Sequence, residues 1–279
     1  IARRTNQNHV DSMNQIQAQN STSLVGLILN GDLTAFGHGN EYDAYRSYYH
    51  DKLNMNVYPG LGNHDYGKNN VNDCWENGCA RRMVDYINET VEDLNVTGYD
   101  WSISSTYYKW PEFRKDHTGS LAYSWDVGPI HFVQLHNFPQ YQNSFNGWNF
   151  GGARRDFYEI QSSVDWLKND LRQALEQNKK VVLNYHVPGL AKAAKADNKG
   201  DWTIYSGPFK DVLDAYGQSV VAIFVGHYHS WINKKRTITV GSHQIPMIWG
   251  GAALYHHYVL LTFNGDNMKV EQIDSSGGA

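Results

Sequence analysis

The chain has 279 residues, with 24 basic and 28 acidic side chains and a formal charge of −4. Its 41% hydrophobic and 19% charged residues exclude a disordered chain and are enough to bury a sizeable core. The mild negative charge excludes an extended nucleic-acid surface, which needs many cations, and no apolar run approaches the roughly 20 residues that span a bilayer.

Residues Ile1 to Gln19 are expected to form an amphipathic helix, with Val10, Met13 and Ile16 on one stripe. Leu24–Leu29 is a continuous apolar run that stops at Asn30-Gly31-Asp32, which predicts a buried strand ending in a polar loop. Tyr42, Tyr45, Tyr49 and Leu53 recur at helical spacing, and Val57–Tyr58 leads into Pro59-Gly60-Leu61-Gly62. Residues 66–120 break this rhythm. They read as an aromatic-rich insertion carrying lid or pocket elements, with a helix near Arg81–Leu94. Leu121–Val127 and His131–His136 are predicted strands around Gly128-Pro129. A long helix follows from Tyr158 to Gln177, with Ile160, Val164, Leu167, Leu171 and Leu175 as its buried stripe. Val181–Asn184 is a further buried strand running into Tyr185-His186. Next come a polar loop from Lys192 to Asp201, a short helix over Phe209–Tyr216 capped by Gly217, and a strand over Val220–Val225. The remainder reads as hairpin strands: Thr237–Val240, Ile245–Trp249, Tyr258–Phe263 and Lys269–Ile273. The alternation predicts one α/β domain, or layered α+β, over residues 1–279 with a mixed sheet core.

Polar groups stand just past four apolar strands: Asp32, Asn63-His64-Asp65, His186, and His227 with His229. Ligands of layered α/β proteins gather outside the carboxyl ends of strands. Imidazoles, a carboxylate and an amide oxygen together make a borderline-hard metal site suited to Mn, Fe or Zn. Alternate histidines in Gly226-His227-Tyr228-His229 can reach one metal cluster only if the chain bends there. Cys74 and Cys79 are either a local disulfide or two unrelated thiols. A disulfide favours an oxidising compartment, hence an extracellular, secreted or periplasmic location; otherwise the chain is cytoplasmic.

The order Gly-Asp, Gly-Asn-His-Asp, His and Gly-His-x-His resembles the calcineurin-like metallophosphoesterase superfamily, from about Val25 to Phe263. The resemblance implies a β-sandwich of two mixed sheets flanked by helices, with two transition-metal ions (Mn, Fe or Zn) between the sheet ends. It implies Asp32 as the bridging carboxylate, Asn63, His186 and His227 on the second metal, and His229 on the first. His64 would face the substrate, with Asp65 holding its other ring nitrogen. The implied activity is hydrolysis of a phosphomonoester or phosphodiester by a metal-bound hydroxide, on a small-molecule, nucleotide or phosphoprotein substrate.

Two departures qualify the resemblance. The family's Asp-x-His strand is absent, so the expectation is that this first strand lies upstream of Ile1. The rival is a degenerate binding or toxin-associated module with only one metal and little turnover. Ala35 stands where purple acid phosphatases carry a Tyr, which argues against an iron–tyrosinate pair. Beyond the motifs, Arg154 and Arg155 are either phosphate ligands or a solvated helix start. Trp101, Tyr107, Tyr108 and Trp110 are either a stacking surface or a satellite core. His136 and Asn137 are candidates for the cleft edge, as is one of His256 and His257.

Overall fold

The structure, a computed structural model, describes residues 2–67, 74–109, 112–149, 154–190, 203–232, 234–265 and 267–277. Its elements are α1 (Ala2–Gln19), β1 (Leu27–Asn30), α2 (Gly39–Tyr45), β2 (Val57–Gly60), α3 (Asn63–Tyr66), α4 (Gly78–Asp93), β3 (Gly98–Lys109), β4 (Glu112–Val127), β5 (Ile130–Gln134), β6 (Asn143–Asn149), β7 (Arg154–Ile160), α5 (Val164–Glu176), β8 (Lys180–Tyr185), α6 (Pro208–Tyr216), β9 (Val220–Val225), β10 (Lys235–Val240), β11 (His243–Trp249), β12 (Gly251–Ala252), β13 (His257–Asn264) and β14 (Asn267–Asp274).

A nine-stranded mixed sheet runs β10-β11-β9-β8-β5-β4-β7-β6, with β3 added along β4. Its central strands are apolar because both faces are covered. Successive side chains leave a strand on opposite faces, and β8 shows the consequence. Val181 and Leu183 join Leu167, Leu171, Phe209 and Leu213 of α5 and α6 in one core. Val182 joins the other core, with Tyr58 of β2, Trp125 and Phe132. Tyr58 and Trp125 stack at 4.1 Å with their planes 4° apart. The second layer is in two pieces, the parallel pair β1-β2 and the antiparallel β12-β13-β14. The layered, helix-flanked sandwich expected from the sequence is therefore present, with one layer split.

Helix α1 lies on the split layer through Val10 and Met13, both buried. His9 Nδ1 meets Ser275 Oγ at 2.9 Å and Ser12 Oγ meets Tyr258 Oη at 2.8 Å, so the two ends of the chain are tied together.

Two elements differ from expectation. Strand β1 is half-buried rather than buried, because among the described residues it pairs only with β2. The helix expected from Tyr158 starts at Val164, and Arg154–Ile160 is a strand with Asp156, Tyr158 and Ile160 inward. Residues within 66–120 add mass to the core: α4 buries Met83, Val84, Tyr86, Ile87 and Val91, and β3 pairs along β4 in the main sheet. The outer part of that hairpin, Ser102 to Ser105, is exposed, which is why it shows no apolar period. Cys74 and Cys79 are joined in a disulfide.

Candidate metal centre

Strands β1, β2, β8 and β9 end at one edge of the sandwich, and each delivers a ligand type from the turn that follows it. His186 Nε2 lies 3.0 Å from Asp32 Oδ2 and 3.1 Å from Asn63 Oδ1. His227 Nδ1 lies 3.1 Å from the same Asn63 oxygen and 3.3 Å from His186 Nε2. The Nδ1–H of His186 donates to the Asn30 carbonyl at 2.7 Å, which orients the ring so that Nε2 faces the cluster. Burial, then the neighbouring His186, pushes the His227 imidazole down to about 4, which keeps it neutral. Burial opposes the charge of Asp32, but its bonds to His186 and to the His64 N–H hold the carboxyl below its ordinary range. Potential ligand atoms of a carboxylate, an amide and two imidazoles thus converge on one point. The chemistry of that set fits a borderline transition metal.

The backbone is bent to make this possible. Asp32 (φ 54°) and His227 (φ 68°) both adopt the left-handed region, which costs a non-glycine residue energy and collects at functional sites. The chain thus turns at His227, between β9 and His229. Gly31 has φ 90°, and a Cβ there would come 2.8 Å from His186 Nδ1.

His64 points away from this cluster, and its Nδ1–H donates to the Ala35 carbonyl at 2.8 Å. The expectation that Asp65 holds that nitrogen is corrected here. Asp65 is fully buried, and its oxygens accept from the N–H groups of Gly62, Leu33 and Thr34 and from the Thr34 hydroxyl. It binds the Asp32 turn to the Asn63 turn, and burial, then Asp32, pushes it up to about 6. A backbone acceptor such as Ala35 O leaves no mark in the side-chain pattern.

The calcineurin-like phosphoesterase profile matches residues 10–231. The chain belongs to the calcineurin-like phosphoesterase family. A calcineurin-like phosphoesterase is a metal-dependent phosphoester hydrolase, and the family implies divalent metal ions. No curated protein matches the chain. Among solved structures, a dimetal phosphatase from Danio rerio is similar at 14% identity and a TM-score of 0.58, covering 96% of this chain and 85% of that one. A candidate 5′-nucleotidase from Staphylococcus aureus, in complex with alpha-ketoglutarate, is 14% identical with a TM-score of 0.49, over 95% of this chain and 48% of that one. At such identities the first likeness shows the fold.

The other residues singled out in this phosphoesterase fall into place as follows. His229 is on the rim, half-exposed, its Nε2 3.9 Å from Asp32 Oδ2, so that oxygen stands between His229 and His186. His136 is not at the cleft edge but buried. It accepts from the Leu61 N–H at 3.0 Å and donates through Nε2 to the Leu121 carbonyl at 2.7 Å, bracing the turn before Asn63. Asn137 is also buried and its carbonyl accepts from His186 and Val187. Arg154 and Arg155 lie on a strand and pair with Asp156 and Glu76, both at 2.7 Å. Trp101 packs against the core and is tilted over His117. The side chains of Tyr107 and Tyr108, and all of Trp110, lie outside the described residues. His256 and His257 sit beside His9 and Ser275, not beside the candidate ligands.

Proposed function

We propose that the protein hydrolyses phosphate monoesters or diesters at a two-metal centre built on Asp32, Asn63, His186, His227 and His229. The observation that carries the reading is the convergence of Asp32 Oδ2, Asn63 Oδ1, His186 Nε2 and His227 Nδ1, neighbouring atoms being about 3.0–3.3 Å apart. Mn, Fe or Zn suits that donor set. When bound, two such cations supply charge to the phosphate oxygens and a water acidified enough to attack phosphorus near neutral pH.

The chain's own residues do the rest. Asp32 keeps Oδ1 on the His64 N–H and turns Oδ2 to the ligand side. With Nδ1 of His64 on the Ala35 carbonyl, the acid role falls to Nε2, which gives a proton to the leaving oxygen. The rim His229 and Asp32 alone do not complete a first metal position. The reading assigns the remaining ligands to an Asp-x-His strand beside β1, whose outer edge has no strand partner among the described residues. The Cys74–Cys79 disulfide supports an extracellular or periplasmic setting. The substrate is a phosphorylated small molecule, a nucleotide or a phosphoprotein.

The rival reading, a degenerate module that binds without turnover, is favoured by the absence of Asp-x-His from these 279 residues. Metal analysis with hydrolysis of an aryl phosphate and an aryl phosphodiester separates the two. His186→Ala should lose the bound ion and orders of magnitude in rate. Unchanged metal stoichiometry and rate in that variant would overturn the assignment.

A further inference from the structure

Phe36 is a large apolar side chain 41% exposed, which alone would need no explanation. Its mounting does. The Phe36 N–H donates to the Glu41 carboxylate at 2.8 Å, and the His38 N–H reaches the same oxygen at 3.2 Å. The Gly37 N–H donates to Thr34 Oγ1 at 2.9 Å, and Arg82 donates to the Gly37 carbonyl at 2.9 Å. Thr34 is in turn held by buried Asp65. The loop is braced from both sides, yet it presents an aromatic ring to solvent.

That ring stands next to the candidate acid. Its centroid is 5.9 Å from the His64 ring, edge-on at 69°, and 5.7 Å from the His38 ring, stacked at 28°. An acid that protonates the leaving oxygen must have the leaving group beside it, so whatever is bonded to that oxygen lies over or against Phe36. We infer that Phe36, backed by His38, is the shelf for the alcohol side of the ester and selects substrates whose leaving group is a planar aromatic ring. This rests on the phosphoesterase reading above, because it takes the phosphoryl position from the metal cluster. A ring laid on a fixed aromatic face gains offset or edge contacts beyond the area it buries, and a flexible alkyl group does not.

The test uses non-hydrolysable probes on the metal-loaded protein, so that it does not depend on turnover. Calorimetry should show phenylphosphonate binding about tenfold more tightly than methylphosphonate, as expected for one good aromatic contact. Phe36→Ala should bring the two affinities together by weakening only the phenyl probe, and Phe36→Tyr should restore the preference. Equal affinities in the unaltered protein, a preference that survives Phe36→Ala, or no binding of either probe would each overturn the shelf. Failure to hydrolyse any ester while the phenyl preference and its loss in Phe36→Ala persist would instead overturn the hydrolase reading and leave the shelf standing.

Discussion

The backbone N–H of His64 donates to Oδ1 of Asp32 at 3.0 Å, across the gap between the turns that follow β1 and β2. The bond divides the carboxylate: one oxygen is spent on the protein and the other faces the ligand cluster. Asp65 fastens the same two turns from beneath, through Gly62, Leu33 and Thr34. The proposed metal ligands are therefore held by backbone contacts so close that side-chain bulk there is decisive.

Gly62 is the tightest point of that contact. Its φ of −104° is open to any residue, so the objection to a side chain is space. A Cβ there would stand 2.3 Å from Asp32 Oδ1 and 2.5 Å from the Asp32 nitrogen. Gly62→Ala should push the two turns apart, costing about 1–3 kcal/mol as overpacking does, and most of the bound metal with it. Thermal denaturation and metal analysis of the purified variant check both. Full metal occupancy at an unchanged melting temperature would show that the turns are not locked together.

His64 should behave as a substrate-side residue rather than a ligand. His64→Asn should lower turnover by about 10²–10⁴, the usual worth of general acid assistance. Metal content should stay constant, and alkyl phosphates, which need the proton more, should suffer more than aryl ones. Loss of metal in this variant, or equal losses for both ester types, would place the acid elsewhere.

Cys74 and Cys79 are only 5 residues apart in sequence and are bonded. Closing so short a loop removes little chain entropy, so Cys74→Ser should cost at most about 2 kcal/mol, less than the roughly 3 kcal/mol of a 15-residue loop. Urea unfolding gives the difference. Thiol titration of the unfolded, unreduced protein should find neither cysteine free.

Two of the strands that lead to the candidate ligands were legible because a strand buried on both faces is mostly apolar, as Val220–Val225 and Val181–Leu183 are. Polar groups in the turn that follows such a strand stand at the sheet edge, where ligands gather. The same logic misplaced His136, which ends a strand like the ligands do but folds inward onto Leu61 and Leu121. Residue type cannot tell a ligand from a strut when both are buried imidazoles. Arg154–Ile160 was lost to the helix period because Ile160 keeps register with Val164 and Leu167, although the alternation of Asp156, Tyr158 and Ile160 marks a strand. The role of Asp65 was misread for a different reason: its partners are backbone N–H groups, which every sequence contains.

A last prediction concerns His131, far from the ligands in sequence and clamped between β4, β5 and α5. Its Nδ1 lies 2.8 Å from Asp126 Oδ1 and its Nε2 2.9 Å from Asp170 Oδ2. Ionised carboxylates only accept, so both ring nitrogens must carry protons and the imidazole is a cation. Lys179 also pairs with Asp126, and Ser124 donates to Asp170 at 2.9 Å. Burial opposes the charge, but the bonds and charges of Asp170 and Asp126 outweigh it and raise the group above its ordinary 6.5. The folded protein then holds this proton more tightly than the unfolded chain does. The resulting stabilisation is complete below about pH 6.5 and is lost as pH rises through the folded value. His9 and His136, both buried and pushed down to about 4, act with the opposite sign and in a different window, removing stability as pH falls from 6.5 towards 4. Melting temperature should therefore decline on the alkaline side of 6.5, and His131→Gln should flatten that decline while leaving the acid limb in place. An alkaline limb identical in the variant would mean that His131 is neutral in the folded protein, with one of its two carboxylates protonated instead.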